Sequence, residues 1–269
     1  YQATPLMIDG VLYTTAGSRR NVVSLDAATG EMLWMYRLDE GERGTNAIRR
    51  MSGRGVAYWT DGEGDERIFF VTIGYQLIAL DAKTGRPVSG FGTDGIVDLK
   101  QNNDQFIDPL TGEIGWNSAP VVARDVVIVG ASHRSGGAPP SRENVKGYIR
   151  GFDVRTGRRT WIFHTIPRAG EFGRDTWLND SAVYTGNTGV WTNLTVDEEL
   201  GIAYLPVEIP TGDYYGGHRP GDNLFGESLV AVSLETGERL WHFQFVHHPI
   251  WDYDVPCPPI LMDLTVDGR

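Results

Sequence analysis

Short apolar runs alternate with polar turns along nearly the whole chain. Runs such as RIFFVTI (67–73) and DVVIVGA (125–131) are rich in the β-branched and aromatic residues that favour strands. They are bounded by Gly, Asp and Asn, which favour turns. The pattern therefore predicts an all-β protein built from short strands.

A recurring segment organises these runs into units. Each copy joins two β-type runs through a polar turn ending in Thr-Gly, and the copies are residues 21–34, 75–88, 147–161 and 228–241. The glycine suits a turn position with positive φ. In three copies a tryptophan follows that glycine by four positions, namely Trp34, Trp161 and Trp241. The constant offset predicts one type of docking pocket, used repeatedly.

Two further β-type runs precede each copy, so that every unit offers four strands. Four-stranded antiparallel units that repeat with a tryptophan signature are typical of β-propeller blades. We therefore predict a β-propeller of four-stranded antiparallel blades, with about four blades in a single domain over residues 1–269. Both ends of the chain interrupt β-type runs, which predicts truncation at both ends.

The long loops are predicted to lie at one end of the blades. They are residues 131–147 and 208–227 within blades, and 37–53, 89–117, 162–190 and 244–258 between blades. Long ordered loops on a rigid scaffold often carry binding and catalytic groups. The stretch VHHPIWDYDVPCPP (246–259) belongs to this end and combines proton-transferring side chains with prolines that exclude a regular strand.

Composition narrows the possible partners. The net charge is −11 over 269 residues, which disfavours nucleic acid as a partner. No apolar run approaches the roughly 18 residues that span a bilayer. Cys257 is the only cysteine, so the chain cannot form an internal disulfide.

Several motifs resemble the PQQ-dependent quinoprotein dehydrogenases, and most closely their glucose/quinate dehydrogenase branch. The motifs are ALDAKTG (79–85), RGVAYW (54–59), GYIRGFDVRTGRRTWIF (147–163) and HHPIWDYDVPCPP (247–259). The resemblance implies an eight-bladed propeller of which this chain is the N-terminal half, with the remaining blades on another segment or chain. It also implies the cofactor PQQ beside Ca²⁺, and a location in the bacterial periplasm, with membrane association through a segment not present here.

The same resemblance implies the chemistry. The substrate is an alcohol, a sugar or a polyol, and the electrons pass on to a quinone or a cytochrome c. Asp252 matches the general base that takes the hydroxyl proton. Trp191 matches the floor of a flat cofactor slot, and Arg54 matches a cation at the cofactor's edge.

The remaining site residues are weaker matches. Gln2, Asn117 and Ser132 stand where the family has polar contacts to the cofactor. For Ca²⁺, which prefers several charged oxygens, Asp252 and Glu208 are the candidate ligands.

Two departures leave an alternative open. The stretch 46–55 lacks the cysteines or histidine with which relatives close the slot, so Arg50 or Met51 is expected to close it. Ser135 and Gly136 stand where the family has calcium ligands. These departures favour a non-catalytic propeller scaffold of the bacterial envelope, whereas the long aromatic-rich loops favour an enzyme.

Overall fold

A computed structural model describes residues 3–134 and 141–265 of the chain. Within these ranges the strands form four antiparallel sheets of four, each in chain order, here called blades 1 to 4. Blade 1 contains β1 (Leu6–Ile8), β2 (Val11–Ala16), β3 (Asn21–Asp26) and β4 (Met32–Tyr36), and blade 2 contains β5 (Ala57–Thr60), β6 (Glu66–Val71), β7 (Gln76–Asp81) and β8 (Ile96–Asp98). Blade 3 contains β9 (Val121–Ala123), β10 (Val126–Val129), β11 (Ile149–Asp153) and β12 (Arg159–Phe163), and blade 4 contains β13 (Thr195–Asp197), β14 (Ile202–Val207), β15 (Ser228–Ser233) and β16 (Arg239–Gln244).

Short helical segments lie between the blades. They are α1 (Gly41–Thr45), a 3₁₀ turn (Arg174–Thr176) and α2 (Ser181–Tyr184). No helix in the described part of the chain is long and apolar enough to cross a membrane. Gln2, Ser135 and Gly136, which the sequence analysis singled out, lie outside the described residues.

Successive blades pack face to face, and the central strands of blades 2 to 4 are buried at most positions on both faces, whereas burial alternates along those of blade 1. In β6, Ile68 and Phe70 join the core shared with blade 1, whereas Phe69 and Val71 join the core shared with blade 3. Side chains of a strand point alternately to opposite faces, so a strand covered on both sides needs apolar residues at every position. This is why the sequence shows continuous apolar runs.

The tryptophan signature docks each blade against the next. Nε1 of Trp34 in blade 1 donates a 3.0 Å hydrogen bond to the carbonyl of Ala82 in blade 2. Its ring covers Gly85, where a Cβ would lie 2.5 Å from the indole. Trp161 of blade 3 covers Gly237 of blade 4 in the same way, with 2.7 Å to an added Cβ. The predicted repeated docking pocket is confirmed at these two interfaces.

Blade 2 departs from the prediction. The sequence placed its fourth strand directly after the Thr-Gly turn and a loop over 89–117, but β8 (Ile96–Asp98) lies inside that loop. Pro87 has no amide hydrogen for a ladder and makes only an isolated bridge. Phe91 from the inserted turn is fully buried, and its ring lies near Gly157 of blade 3. It takes the docking role that tryptophan has elsewhere.

Chain order within antiparallel blades fixes where the long loops emerge. The β10–β11 and β14–β15 connections leave the same end of the blades as the connections between successive blades. The functional candidates that follow strands at this end therefore come close together.

Candidate cofactor site

A cavity of about 270 Å³ brings together three of the residues predicted from sequence. Trp191, Glu208 and Asp252 line it. Its other charged lining residues, which the sequence analysis did not select, are Arg49, His133, Arg134, Asp213 and Asp254. It is called the smaller cavity below.

Three hydrogen bonds hold the Trp191 segment. Oγ of Ser118 donates to the Trp191 carbonyl at 2.8 Å, and Oγ1 of Thr192 donates to the Pro256 carbonyl at 2.7 Å. The indole Nε1 donates to Oδ2 of Asp254 at 3.0 Å. The ring is therefore a fixed, partly exposed aromatic wall.

Arg54 lies beside this wall. Its guanidinium carbon is 5.2 Å from the centroid of the Trp191 ring, and its Nη1 is 3.4 Å from Oγ of Ser118. Its backbone amide donates to the Asn117 carbonyl at 2.8 Å, and its carbonyl accepts from Thr4 at 2.9 Å. An aromatic plane with an adjacent cation suits a flat, anionic ligand.

The acidic wall comes from the proline-rich stretch 246–259, which contains no strand or helix, as predicted. Asp252 and Asp254 both adopt positive φ values, of 51° and 48°. Aspartate tolerates this left-handed region better than most residues. Oη of Tyr214 donates to Oδ2 of Asp252 at 2.9 Å.

Glu208, which follows β14, forms part of the same wall and is almost fully buried. Its Oε1 accepts hydrogen bonds from the Gly189 amide and from Nδ1 of His133, both at 3.0 Å. The carboxylate can only accept, so Nδ1 of His133 carries the proton. The other ring nitrogen of His133 is buried and has no hydrogen-bond partner among the described residues.

Crowded negative charge alters the protonation of this wall. Burial, followed by the charges of Glu208 and Asp252, raises the pKa of Asp254 to about 7. Burial, followed by the charges of Asp252 and Glu208, raises the pKa of Asp213 to about 6. Carboxylates that raise one another's pKa make a site in which a cation is favourable.

The fit to a metal ion is partial. Oδ1 of Asp254 is buried without a hydrogen bond of normal geometry in the described ranges. However, no three His, Cys, Asp or Glu side chains of those ranges converge closely enough to hold a metal. Calcium takes six to eight oxygens, so a bound cofactor and water would have to supply several of them.

The other sequence candidates lie elsewhere. Asn117 lines a neighbouring, larger cavity of about 980 Å³. Ser132 is fully buried, and its Oγ donates to the Gly115 carbonyl at 3.2 Å, so it faces neither cavity. Gln2, as noted, is outside the described residues.

The expected slot closure by Arg50 or Met51 stays a prediction. Both residues are exposed and line the larger cavity, and Met51 is 69% exposed. Arg49 instead lines both cavities. Of the loop residues 46–55, only Arg49 lines the smaller cavity together with Trp191, which the sequence of two adjacent arginines did not reveal.

Four-stranded propeller blades carrying a cavity with an aromatic wall, a cation and carboxylates define a quinoprotein-type β-propeller. The whole chain, residues 1–269, matches the family described as PQQ: glucose/ethanol/alcohol dehydrogenase, beta-propeller domain. The chain belongs to this family.

Its relatives include quinoproteins that act on alcohols and on glucose. The chain is 32% identical to the quinohemoprotein alcohol dehydrogenase ADH-IIG of Pseudomonas putida, covering 100% of the chain and 36% of the relative. It is 29% identical to the quinoprotein glucose dehydrogenase of Gluconobacter oxydans (strain 621H), covering 98% of the chain and 33% of the relative. The solved structure of ADHIIG from Pseudomonas putida HK5 matches with a TM-score of 0.81 at 29% identity, covering 100% of the chain and 37% of that protein. The chain thus spans about a third of the length of the curated relatives it matches.

Proposed function

We propose that the protein containing this chain is a PQQ-dependent dehydrogenase that oxidises an alcohol, a sugar or a polyol. The observation that carries the proposal is that Trp191 and Asp252 line the smaller cavity, while the guanidinium carbon of Arg54 lies 5.2 Å from the centroid of the Trp191 ring. Family membership and the named activities of the relatives support it.

Each of the three residues has a distinct task. The Trp191 ring provides a flat surface on which a planar cofactor stacks at little cost in conformational entropy. Arg54 neutralises and orients an anionic edge of that cofactor. When bound, PQQ supplies a quinone carbonyl that accepts hydride from the substrate carbon.

Asp252 takes the proton of the substrate hydroxyl. Its carboxylate is partly exposed and lines the cavity, so a substrate can reach it. Oη of Tyr214 orients one carboxylate oxygen. A base held in hydrogen-bonding reach of a hydroxyl typically contributes about 10²–10⁴ to the rate.

Calcium is part of the proposal, with Glu208 and Asp252 as its protein ligands. The raised pKa values of Asp213 and Asp254 support it, since they reflect burial and, after it, neighbouring negative charge that a divalent cation would neutralise. The electron acceptor is proposed to be a quinone or a cytochrome c, and the periplasmic location stays a prediction.

Reconstitution of the full-length protein with PQQ and Ca²⁺ tests the proposal. Turnover of an artificial electron acceptor is measured against a panel of alcohols, sugars and polyols. Trp191→Phe is expected to keep most of the cofactor affinity, whereas Trp191→Ala is expected to lose it. A wild-type protein that binds no PQQ under these conditions would contradict the proposal and favour the non-catalytic scaffold.

A further inference from the structure

Two arginines, Arg49 and Arg134, line the smaller cavity, and of these Arg134 forms an ion pair with Glu113. Nε of Arg49 is buried and makes no hydrogen bond, and the Arg49 guanidinium forms no ion pair with any described residue. Burying a charge without a partner is costly, because the group gives up its hydration. Arg49 is half-buried, and a guanidinium at a cavity wall whose Nε is buried without a partner is suited to pair with an anionic ligand.

The backbone that carries Arg49 is held rigidly. Nη2 of Arg20 donates to the Arg49 carbonyl at 2.9 Å, and Arg20 also donates to the Val71 carbonyl at 2.8 Å. Arg20 is only 3% exposed. At Gly115 an added Cβ would lie 3.2 Å from Cβ of Arg49, so the loop packs closely on this backbone. The side chain is thus presented from a fixed position.

Opposite charges surround Arg49 without touching it. Burial lowers the pKa of Arg49, and the charges of Glu208 and Asp254 partly offset that effect. Neither carboxylate is within ion-pair distance, and Arg54 adds a second positive charge nearby. The space between these groups is the cavity, which leaves room for a ligand rather than for a direct salt bridge.

We infer that Arg49 is a cofactor-binding residue, whose guanidinium closes the slot against a planar anionic cofactor stacked on Trp191. The inference rests on the proposed function, since it takes PQQ as the ligand. PQQ carries carboxylates on a planar ring system, and guanidinium both stacks on such rings and pairs with carboxylates.

Titration of the full-length apo protein with PQQ, followed by quenching of tryptophan fluorescence, tests this role. Arg49→Gln is expected to weaken PQQ binding roughly ten- to hundredfold, the value of a charge-assisted contact. Arg49→Lys keeps the charge without the planar guanidinium, so its PQQ affinity is expected to lie between those of wild type and Arg49→Gln. Arg86→Gln is the matched control and is expected to bind PQQ like wild type, because Arg86 is exposed in the Thr-Gly turn that follows β7 and lines neither cavity.

A second readout separates recognition of charge from a structural role. The trimethyl ester of PQQ keeps the ring system and lacks the carboxylate charges, so wild type should prefer PQQ and Arg49→Gln should prefer it less. This preference is a ratio within one variant, so partial loss of folded protein does not change it.

The outcomes distinguish the two proposals. If wild type binds PQQ and Arg49→Gln binds it equally well with the same preference over the ester, the inference is overturned and the proposed function stands. If wild type binds no PQQ, both fail.

Discussion

The indole nitrogen of Trp191 and Oδ2 of Asp254 are joined by a 3.0 Å hydrogen bond, which links the aromatic wall of the smaller cavity directly to its acidic wall. Asp254 is therefore placed to set the orientation of the ring, while Asp252, two positions earlier, faces the cavity with a carboxylate that Tyr214 contacts. Two carboxylates of one short loop thus have separate tasks.

The link predicts that Asp254 positions the cofactor wall through hydrogen bonding. Asp254→Ala leaves a part-buried indole N–H without an acceptor, and losses of this kind cost about 1–3 kcal/mol. PQQ affinity of the full-length protein should fall accordingly. Asp254→Asn keeps a carbonyl acceptor and should retain most of the affinity, as measured by fluorescence titration. Equal losses in both variants would instead indicate that the carboxylate charge matters.

The fold was largely readable from the sequence because propeller blades repeat. The Thr-Gly turns and the apolar runs between them mark the strands of blades 1, 3 and 4. Blade 2 differs from this pattern. Pro87 has no amide hydrogen for the sheet, and the fourth strand is instead Ile96–Asp98. A local exception of this kind depends on how Phe91 packs, which the repeat does not encode.

Only part of the candidate cofactor site could be predicted from the sequence. Trp191 and Asp252 lie in motifs whose residues resemble a family, whereas Arg49, His133 and Asp213 become neighbours only through folding. His133 meets Glu208 although 75 positions separate them, because both follow second strands of adjacent blades. A pattern along one chain does not show such pairs.

Asp252 is predicted to be essential for turnover and not for cofactor binding. Asp252→Asn removes the proton acceptor but keeps the shape, so kcat should fall by about 10²–10⁴. The PQQ affinity at saturating Ca²⁺ should change much less. Turnover and fluorescence titration of the reconstituted full-length protein measure the two quantities.

A matched control checks the specificity of this effect. Asp94→Asn replaces an exposed aspartate that also has a positive φ, of 52°, in blade 2. It should leave both quantities unchanged. An Asp252→Asn variant with near wild-type kcat would remove Asp252 from the role of base.

The raised pKa of Asp213 leads us to expect that the stability of the apo protein depends on pH. This pKa rises from 3.8 to about 6 on folding, so the folded state binds more protons than the unfolded state between these values. The stability should therefore decrease as pH rises through this window and stay lower above it. Asp213→Asn should be more stable than wild type at pH 7.5, by up to about 3 kcal/mol, and similar to it near pH 4.

Urea unfolding with a metal chelator present measures this difference. Addition of Ca²⁺ should shrink the advantage of Asp213→Asn, since a cation in the cavity relieves the same repulsion. An equal effect of the substitution at both pH values would show that the charge of Asp213 is not the cause.

Docking of Trp34 on Gly85 predicts a stability difference between two equivalent turns. Gly85 (φ 68°) and Gly30 (φ 75°) occupy the same position of the Thr-Gly turn, but an added Cβ at Gly30 has no atom within 4 Å. Gly30→Ala should therefore cost only the left-handed backbone, about 1–2 kcal/mol. Gly85→Ala adds a collision with the indole and should cost about 2–5 kcal/mol in all.

In a Trp34→Ala background the cost of Gly85→Ala should fall to that of Gly30→Ala, as a double-mutant cycle measures. Equal costs of the two glycine substitutions in the wild-type background would mean that the indole yields without strain, and that this docking contact does not hold blades 1 and 2 together.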